Sequence, residues 1–427
     1  MFDKVVDSEV VNIDVFDTTA EAEVKLTEGG SITVEFDGKV EVLAPQGFED
    51  RISGEEVGRQ RTFTGRTESG AVVEFADAID SPSIKFGSGG FRYFINGIRP
   101  STVFFDSSDE EALVEEKVTI EIDLLSFGPS NPFIEGIEER PLLERDEFSM
   151  SISTLQDMKD RIEHIKESRS PLRTGSIQVT QQVNGPPERQ IEAALETSLD
   201  VLELLSFTQG VFPSPIRAEV VRVGDEEPKF TAKKWVPIYR KIMGHGFVGG
   251  RIVWGQDTER FLDEAYDGYV EELREKYRIH MVLSWYLDAL LGARSLDSKF
   301  ASICSGIELL AKRHSDLGPE HAKTEERIIH LVDKLDVEVR DLAEFSESYE
   351  DSKLDDEEYA NEYFYNQTRQ YVMHGDNLGT TVDELFRDYQ ASLRLFQRLI
   401  RNQLIGTDSL DEYSQLGELE AEDKRYE

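Results

Sequence analysis

The stretch Asn366–Asn377, reading Asn-Gln-Thr-Arg-Gln-Tyr-Val-Met-His-Gly-Asp-Asn, holds two side chains that can work on a phosphodiester. Arg369 offers a permanent cation with a planar fork of donors matched to phosphate oxygens, and His374 can take up or release a proton near neutral pH. A separation of five positions turns the second side chain roughly 140° from the first, so in mid-helix the pair would not share a face. Gly375 follows the histidine directly and reads as a helix C-terminal glycine. That sets His374 where the chain leaves helical geometry and lets both side chains converge on one cleft.

The spacing alone is not selective. With 29 Arg and 7 His in 427 residues, chance supplies roughly one or two such pairs. Two others are present, Arg240 with His245 and Arg274 with His280. The first lies among Gly244, Gly246, Gly249 and Gly250, where turns and bulges need glycine more often than ligands do. The second lies in the charged run Glu271–Arg278, which reads as a solvated helical face. Context must separate the three.

The elements that would position Arg369 and His374 are helical, because the apolar period changes after Trp254. Asp257 or Thr258 caps a helix with Leu262, Tyr266, Tyr269 and Leu273 on one face; Met281–Leu291 is the next. A cap at Asp297 opens a helix carrying Phe300, Ile303, Ile307 and Leu310, and Thr324–Leu335 forms another. The acidic stretch Glu344–Glu362 reads as a solvated loop leading into the helix that ends at the Arg-His pair. Thr381 and Glu384 make a capping box for the last long helix, with Leu385, Tyr389, Leu393, Phe396 and Ile400 on its core face and Gly406 at its close.

An arginine followed four to six residues later by a histidine, near the end of a helical domain, resembles the HEPN family (higher eukaryotes and prokaryotes nucleotide-binding). The passages Trp285–Leu290, Ser298–Phe300 and Gly306–Leu310 are similar to the opening helices of its ApeA-like branch, whose second helix carries an acidic residue at the Glu308 position. The resemblance covers about 256–406, and of the three Arg-His pairs only Arg369 with His374 has that setting. One departure is Gln370, where the wider family often has Asn or Asp.

The resemblance implies a metal-independent endoribonuclease in which Arg369 and His374 are catalytic. Asn366, Gln370, Glu308 and Asp376 would orient them. It also implies a homodimer formed through the helical domain, RNA as substrate with tRNA among the candidates, no cofactor, and a role in antiviral defence or a toxin-like response. The N-terminal domain would sense an unknown trigger. The competing reading is a catalytically inactive HEPN-fold module that binds a nucleotide or a protein.

The N-terminal third reads differently. Strand-like alternation runs through Val10–Phe16, Ala22–Leu26, Ser31–Phe36, Lys39–Leu43 and Lys117–Asp123, with turn signals at Glu28-Gly29-Gly30 and Asp37-Gly38. Gly87–Phe91 is glycine-rich but lacks the Gly-Lys-Ser/Thr of a phosphate loop, so it reads as a hairpin turn. A short helix over Thr154–Lys166, a longer one after Pro186-Pro187, and strands at Ile216–Val223 and Phe230–Tyr239 follow.

The expected class is α+β. An antiparallel β-rich domain (sandwich or open barrel) occupies 1–145, an α+β region continuing it 146–255, and an all-α HEPN-like bundle 256–406. A disordered acidic tail fills 407–427.

Composition narrows the partners. No run approaches about 18 apolar residues and no signal peptide opens the chain, so the expectation is a cytoplasmic protein without a membrane partner. The seven histidines form no His-x-x-x-His or His-Glu-x-x-His spacing, and the single Cys304 reads as a small buried residue, so no metal is expected. A net charge of −39 with Arg exceeding Lys (29 against 18) reads as adaptation to molar salt, as in halophiles. At about 1 M salt the Debye length is near 3 Å, so global repulsion of RNA fades. Counterion release weakens as well, leaving recognition to close contacts such as stacking.

Overall fold

A computed structural model describes residues 4–15, 18–42, 61–87, 90–100, 102–107, 116–125, 139–168, 171–227, 230–236, 257–290, 294–314, 324–337, 372–373 and 381–406. The chain divides into two compact units. One comprises Met1–Phe127, Ile134–Leu199 and Pro213–Lys241; the other comprises Gly128–Phe133, Asp200–Phe212 and Ile242–Glu427.

The first unit is an antiparallel sheet region. Its strands are β1 (Val5–Val15), β2 (Thr18–Thr27), β3 (Ile32–Val42), β4 (Arg61–Thr67), β5 (Val72–Gly87), β6 (Gly90–Arg99), β7 (Thr102–Asp106), β8 (Val118–Leu125), β9 (Arg140–Glu144), β10 (Phe148–Thr154), β11 (Arg173–Gln181), β12 (Ser214–Val223) and β13 (Ala232–Trp235). Alternation sets the faces: Val11, Ile13 and Val15 of β1 and Ala22, Val24 and Leu26 of β2 are buried. They join Phe63, Phe75, Phe105 and Trp235 in one apolar cluster.

The sequence suggested a sandwich or an open barrel, but the pairing closes on itself. Strand β4 pairs with both β1 and β5, so hydrogen bonding runs β4-β1-β2-β3-β6-β5 and returns to β4. The length of β5 allows this: Arg61–Arg66 of β4 pairs with its first half, while β6 takes its second half. Gly65 sits where β4 meets β1, and a Cβ there would lie 2.6 Å from the Asn12 carbonyl oxygen, so only glycine fits that approach. The expected hairpin at Gly87–Phe91 is present, with Phe86 opposite Phe91 and Gly87 opposite Gly90.

From β5 the sheet continues β7-β13-β12-β8-β11-β10-β9, so strands from the expected middle region pair with the N-terminal ones. Between β10 and β11 lies helix α1 (Met158–Ser168), which starts four residues later than the expected Thr154 because that residue still belongs to β10. Helix α2 (Pro187–Gln209) follows Pro186 and begins on a proline, which costs no intrahelical bond there. The strand expected at Phe230–Tyr239 is described only as Ala232–Trp235.

A chain of ion pairs threads this unit. Lys233 reaches Asp7 (2.9 Å) and Glu9 (2.8 Å), and Arg217 lies 3.4 Å from Asp7 and 3.3 Å from Asp123. Arg173 connects Asp123 (3.3 Å) to Glu28 (3.7 Å), and Arg161 joins Glu28 (2.9 Å) to Asp157 (2.7 Å). Burial holds the Asp123 carboxyl above its ordinary value, and Arg173 and Arg217 offset only part of that rise.

The second unit is helical. Helix α3 (Asp257–Gly268) runs into a π-helical turn (Tyr269–Leu273) and a last turn (Arg274–Lys276). Then come α4 (Ile279–Leu290), α5 (Leu296–His314), α6 (Thr324–Lys334) and α7 (Val382–Ile405). The residue that caps α5 is Ser295, not the expected Asp297: its hydroxyl accepts from the Ser298 N–H at 3.3 Å, and Asp297 falls inside the first turn. Gly406 ends α7 with φ +72°, donating its N–H to the Asn402 carbonyl at 3.0 Å.

Aromatic rings fill the helical core. Buried Tyr286 of α4 meets Phe207 at 5.4 Å and Phe396 at 6.3 Å, and Gln397 of α7 donates to its hydroxyl at 3.3 Å. Cys304 is buried, as its apolar neighbours Ile303 and Ile307 suggested.

Candidate functional site

Helix α5 supplies the one expected site residue that lies within the described chain. Glu308 follows Cys304 by one turn, so the two share a helical face, and Glu308 is half-buried with its side chain engaged. Cys304 belongs to an apolar cluster with Phe300 of the same helix and Leu385 of α7, against which Leu296, Tyr389 and Val372 pack. Val372 lies three residues after Arg369 and two before His374. Val372 is therefore seated on a cluster to which α5, the helix that carries Glu308, contributes Phe300 and Cys304. Met373 beside it is 42% exposed.

Arg369, His374, Asn366, Gln370 and Asp376 lie outside the described residues, as do the acidic stretch Glu344–Glu362, the tail from 407 onward and the pair Arg240 with His245.

The remaining Arg-His pair has a structural occupation beside the solvated face that the sequence suggested. The Arg274 guanidinium binds Asp200 at 2.5 Å and lies 3.8 Å from Glu203, carboxylates in the second half of α2. Glu203 also accepts from the Tyr269 hydroxyl. The His280 Nδ1 sits 3.1 Å from the Arg274 carbonyl oxygen, and Arg278 turns the chain with φ +57° between them. Glu271, Glu272, Glu275 and Lys276 on the same run are exposed, so part of the face is solvated as expected.

Three side chains that the motif did not point to border the Val372 cluster. Lys299 of α5 holds its Nζ 5.8 Å from the centre of the Tyr389 ring, and burial lowers its pKa below the ordinary lysine value. The Tyr389 hydroxyl donates to the Ala289 carbonyl at 3.0 Å, and burial pushes its pKa up to about 12. One turn earlier on α7, the Phe386 ring lies 6.4 Å from that of Tyr389. Periodicity carried a signal for Phe386, since it falls off the stripe of Leu385, Tyr389, Phe396 and Ile400 and must face outward. Nothing in the sequence marked Lys299 as forming no ion pair among the described residues.

Among the described residues no group of three or more His, Cys, Asp or Glu side chains is arranged to hold a metal ion, and no helix is long and apolar enough to cross a membrane. No family model, no curated protein and no solved structure matches the chain.

Proposed function

We propose that the chain is an endoribonuclease of the HEPN type, with Arg369 and His374 as its catalytic pair. The observation that carries this reading is the packing of Val372, between the two residues in sequence, on the cluster shared by Cys304 and Leu385, one turn from Glu308. The resemblance of 256–406 to ApeA-like domains supports the same assignment.

In this reaction the ribose 2′-hydroxyl loses its proton to a base, attacks phosphorus, and expels the 5′-oxygen, which takes up a proton from an acid. Arg369 neutralises the charge that builds on the non-bridging oxygens. His374 serves one of the two proton transfers. A single imidazole cannot readily be base and acid in one displacement, so two copies of the chain would pair through their helical units to bring two histidines to one cleft. Glu308, with Asn366, Gln370 and Asp376, would orient the pair.

No step calls on a metal, so cleavage should proceed in EDTA. The products should carry 2′,3′-cyclic phosphate and 5′-hydroxyl ends, and DNA should resist because it lacks the attacking hydroxyl. End-group analysis of cleaved RNA beside a DNA of the same sequence tests this; DNA cut as fast as RNA contradicts it. The setting we assign is cytoplasmic defence or a toxin-like response, triggered through the β-rich unit. Gln370, where the family often has Asn or Asp, favours the second reading: a module that kept the fold and binds a nucleotide or a protein without cutting.

A further inference from the structure

Lys299 is unusual in a chain with 86 acidic and 47 basic residues. Among the described residues it forms no ion pair, although it is half-buried, where a cation normally recruits a carboxylate. Its neighbour is instead the Tyr389 ring, which stands against the Phe386 ring at 30°. Phe386 is 48% exposed, on the solvent side of α7. Ammonium, half-buried ring and exposed ring thus follow one another along the edge of the cluster that seats Val372.

An aromatic face open to water and a half-buried cation with no ion pair among the described residues, both neighbours of the Tyr389 ring, match the two parts of a nucleotide. Every base presents a π-face for stacking, and every linkage presents an anionic phosphate. We propose that Phe386 and Lys299 form a subsite for single-stranded RNA at the edge of the cluster on which Val372 packs, a base stacking on Phe386 and an adjacent phosphate meeting Lys299. This rests on the endoribonuclease reading and adds to it where the strand lies.

The two contacts respond differently to salt. Stacking is not screened, whereas attraction between the ammonium and phosphate weakens steeply as ionic strength rises. In molar KCl the ring should therefore carry most of the binding, and the lysine's share should grow as salt is lowered.

The test is fluorescence anisotropy of a labelled ten-nucleotide oligoadenylate with full-length protein carrying His374→Ala, so that cleavage does not obscure binding. In 2 M KCl, added Phe386→Ala should weaken binding about tenfold, while Phe386→Trp should bind like the parent. Lys299→Gln should lower affinity slightly in 2 M KCl and several-fold more at about 0.3 M. The Trp variant and the salt response of the Gln variant separate a lost contact from a lost fold. If the parent binds and both Phe386→Ala and Lys299→Gln bind equally well, the subsite is wrong and the nuclease reading stands. If the parent binds no RNA, the subsite is overturned; cleavage by the wild-type chain then decides whether the nuclease reading falls with it.

Discussion

The Phe396 ring lies across the backbone of Gly306 so closely that a Cβ on residue 306 would stand 2.1 Å from the ring's Cζ. Both flanking ring carbons would lie at 2.8 Å. Phe396 is fully buried and meets Tyr286 edge-on, so it cannot swing aside without disturbing the middle of the helical unit. Gly306 thereby sets how near α7 comes to α5, the helix of Glu308 and Lys299.

Gly306→Ala should accordingly destabilise the helical unit, although alanine is the better helix former. Overpacking of this kind costs roughly 1–3 kcal/mol, more than the helix propensity gained. Denaturant unfolding in molar KCl measures it, and pairing the change with Phe396→Leu should return part of the loss. An unchanged midpoint for Gly306→Ala would contradict this packing.

Arg161→Leu should be among the more damaging substitutions in the β-rich unit. It would leave Glu28, only 2% exposed, with Arg173 at 3.7 Å as the remaining cation close to it. Removing one member of a buried pair costs roughly 3–5 kcal/mol. Adding Glu28→Gln should cost little more, because the two losses are not independent. Thermal unfolding of the two single variants and the double variant gives the coupling, and simple additivity would show that the pair does not act as one.

Acid should weaken the fold through His314. This histidine is 4% exposed and stacks on Tyr277 with ring centres 4.1 Å apart. Burial first, then Lys334, lower its pKa to about 4, with Lys276 and His330 adding to that and Gln403 opposing it. Its folded pKa lies below the unfolded value near 6.5, so the unfolded chain binds the proton first as pH falls. Stability is then full above about 6.5 and is lost progressively towards about 4, by roughly 1–2 kcal/mol at pH 5. His314→Phe, which keeps the stack, should lose less stability than wild type between pH 7 and pH 5. Equal losses in both proteins would remove His314 from the explanation.

How much of this the sequence showed depends on whether the signal was local. Alternation along Val11, Ile13 and Val15 marked strands, and the spacing of Leu385, Phe396 and Ile400 marked the buried face of α7, because burial period follows backbone geometry. The closure of β4 onto β1 was not legible, since Val11 pairs with Thr67 and Asp14 with Thr64 across a long stretch of chain, and such a pairing leaves no periodic trace. Asp297 reads as a cap in sequence because acidic residues favour both the cap and the first turn, and only the Ser295 hydroxyl's bond from the Ser298 N–H settles which it is. The ion-pair chain from Lys233 to Asp157 was likewise hidden: its members are scattered along the sequence, in a composition where acidic residues are everywhere.

Arg369 and His374 carry the proposed chemistry. The measurement that tests it most directly is incubation of the full-length protein with structured and unstructured RNA in molar KCl and EDTA, beside Arg369→Ala and His374→Ala. The expected result is cleavage with 2′,3′-cyclic phosphate ends by the wild-type chain and its loss, at least a hundredfold for His374→Ala as when a proton-transfer group is removed, in both variants. Cleavage that persists undiminished in the two variants would contradict it.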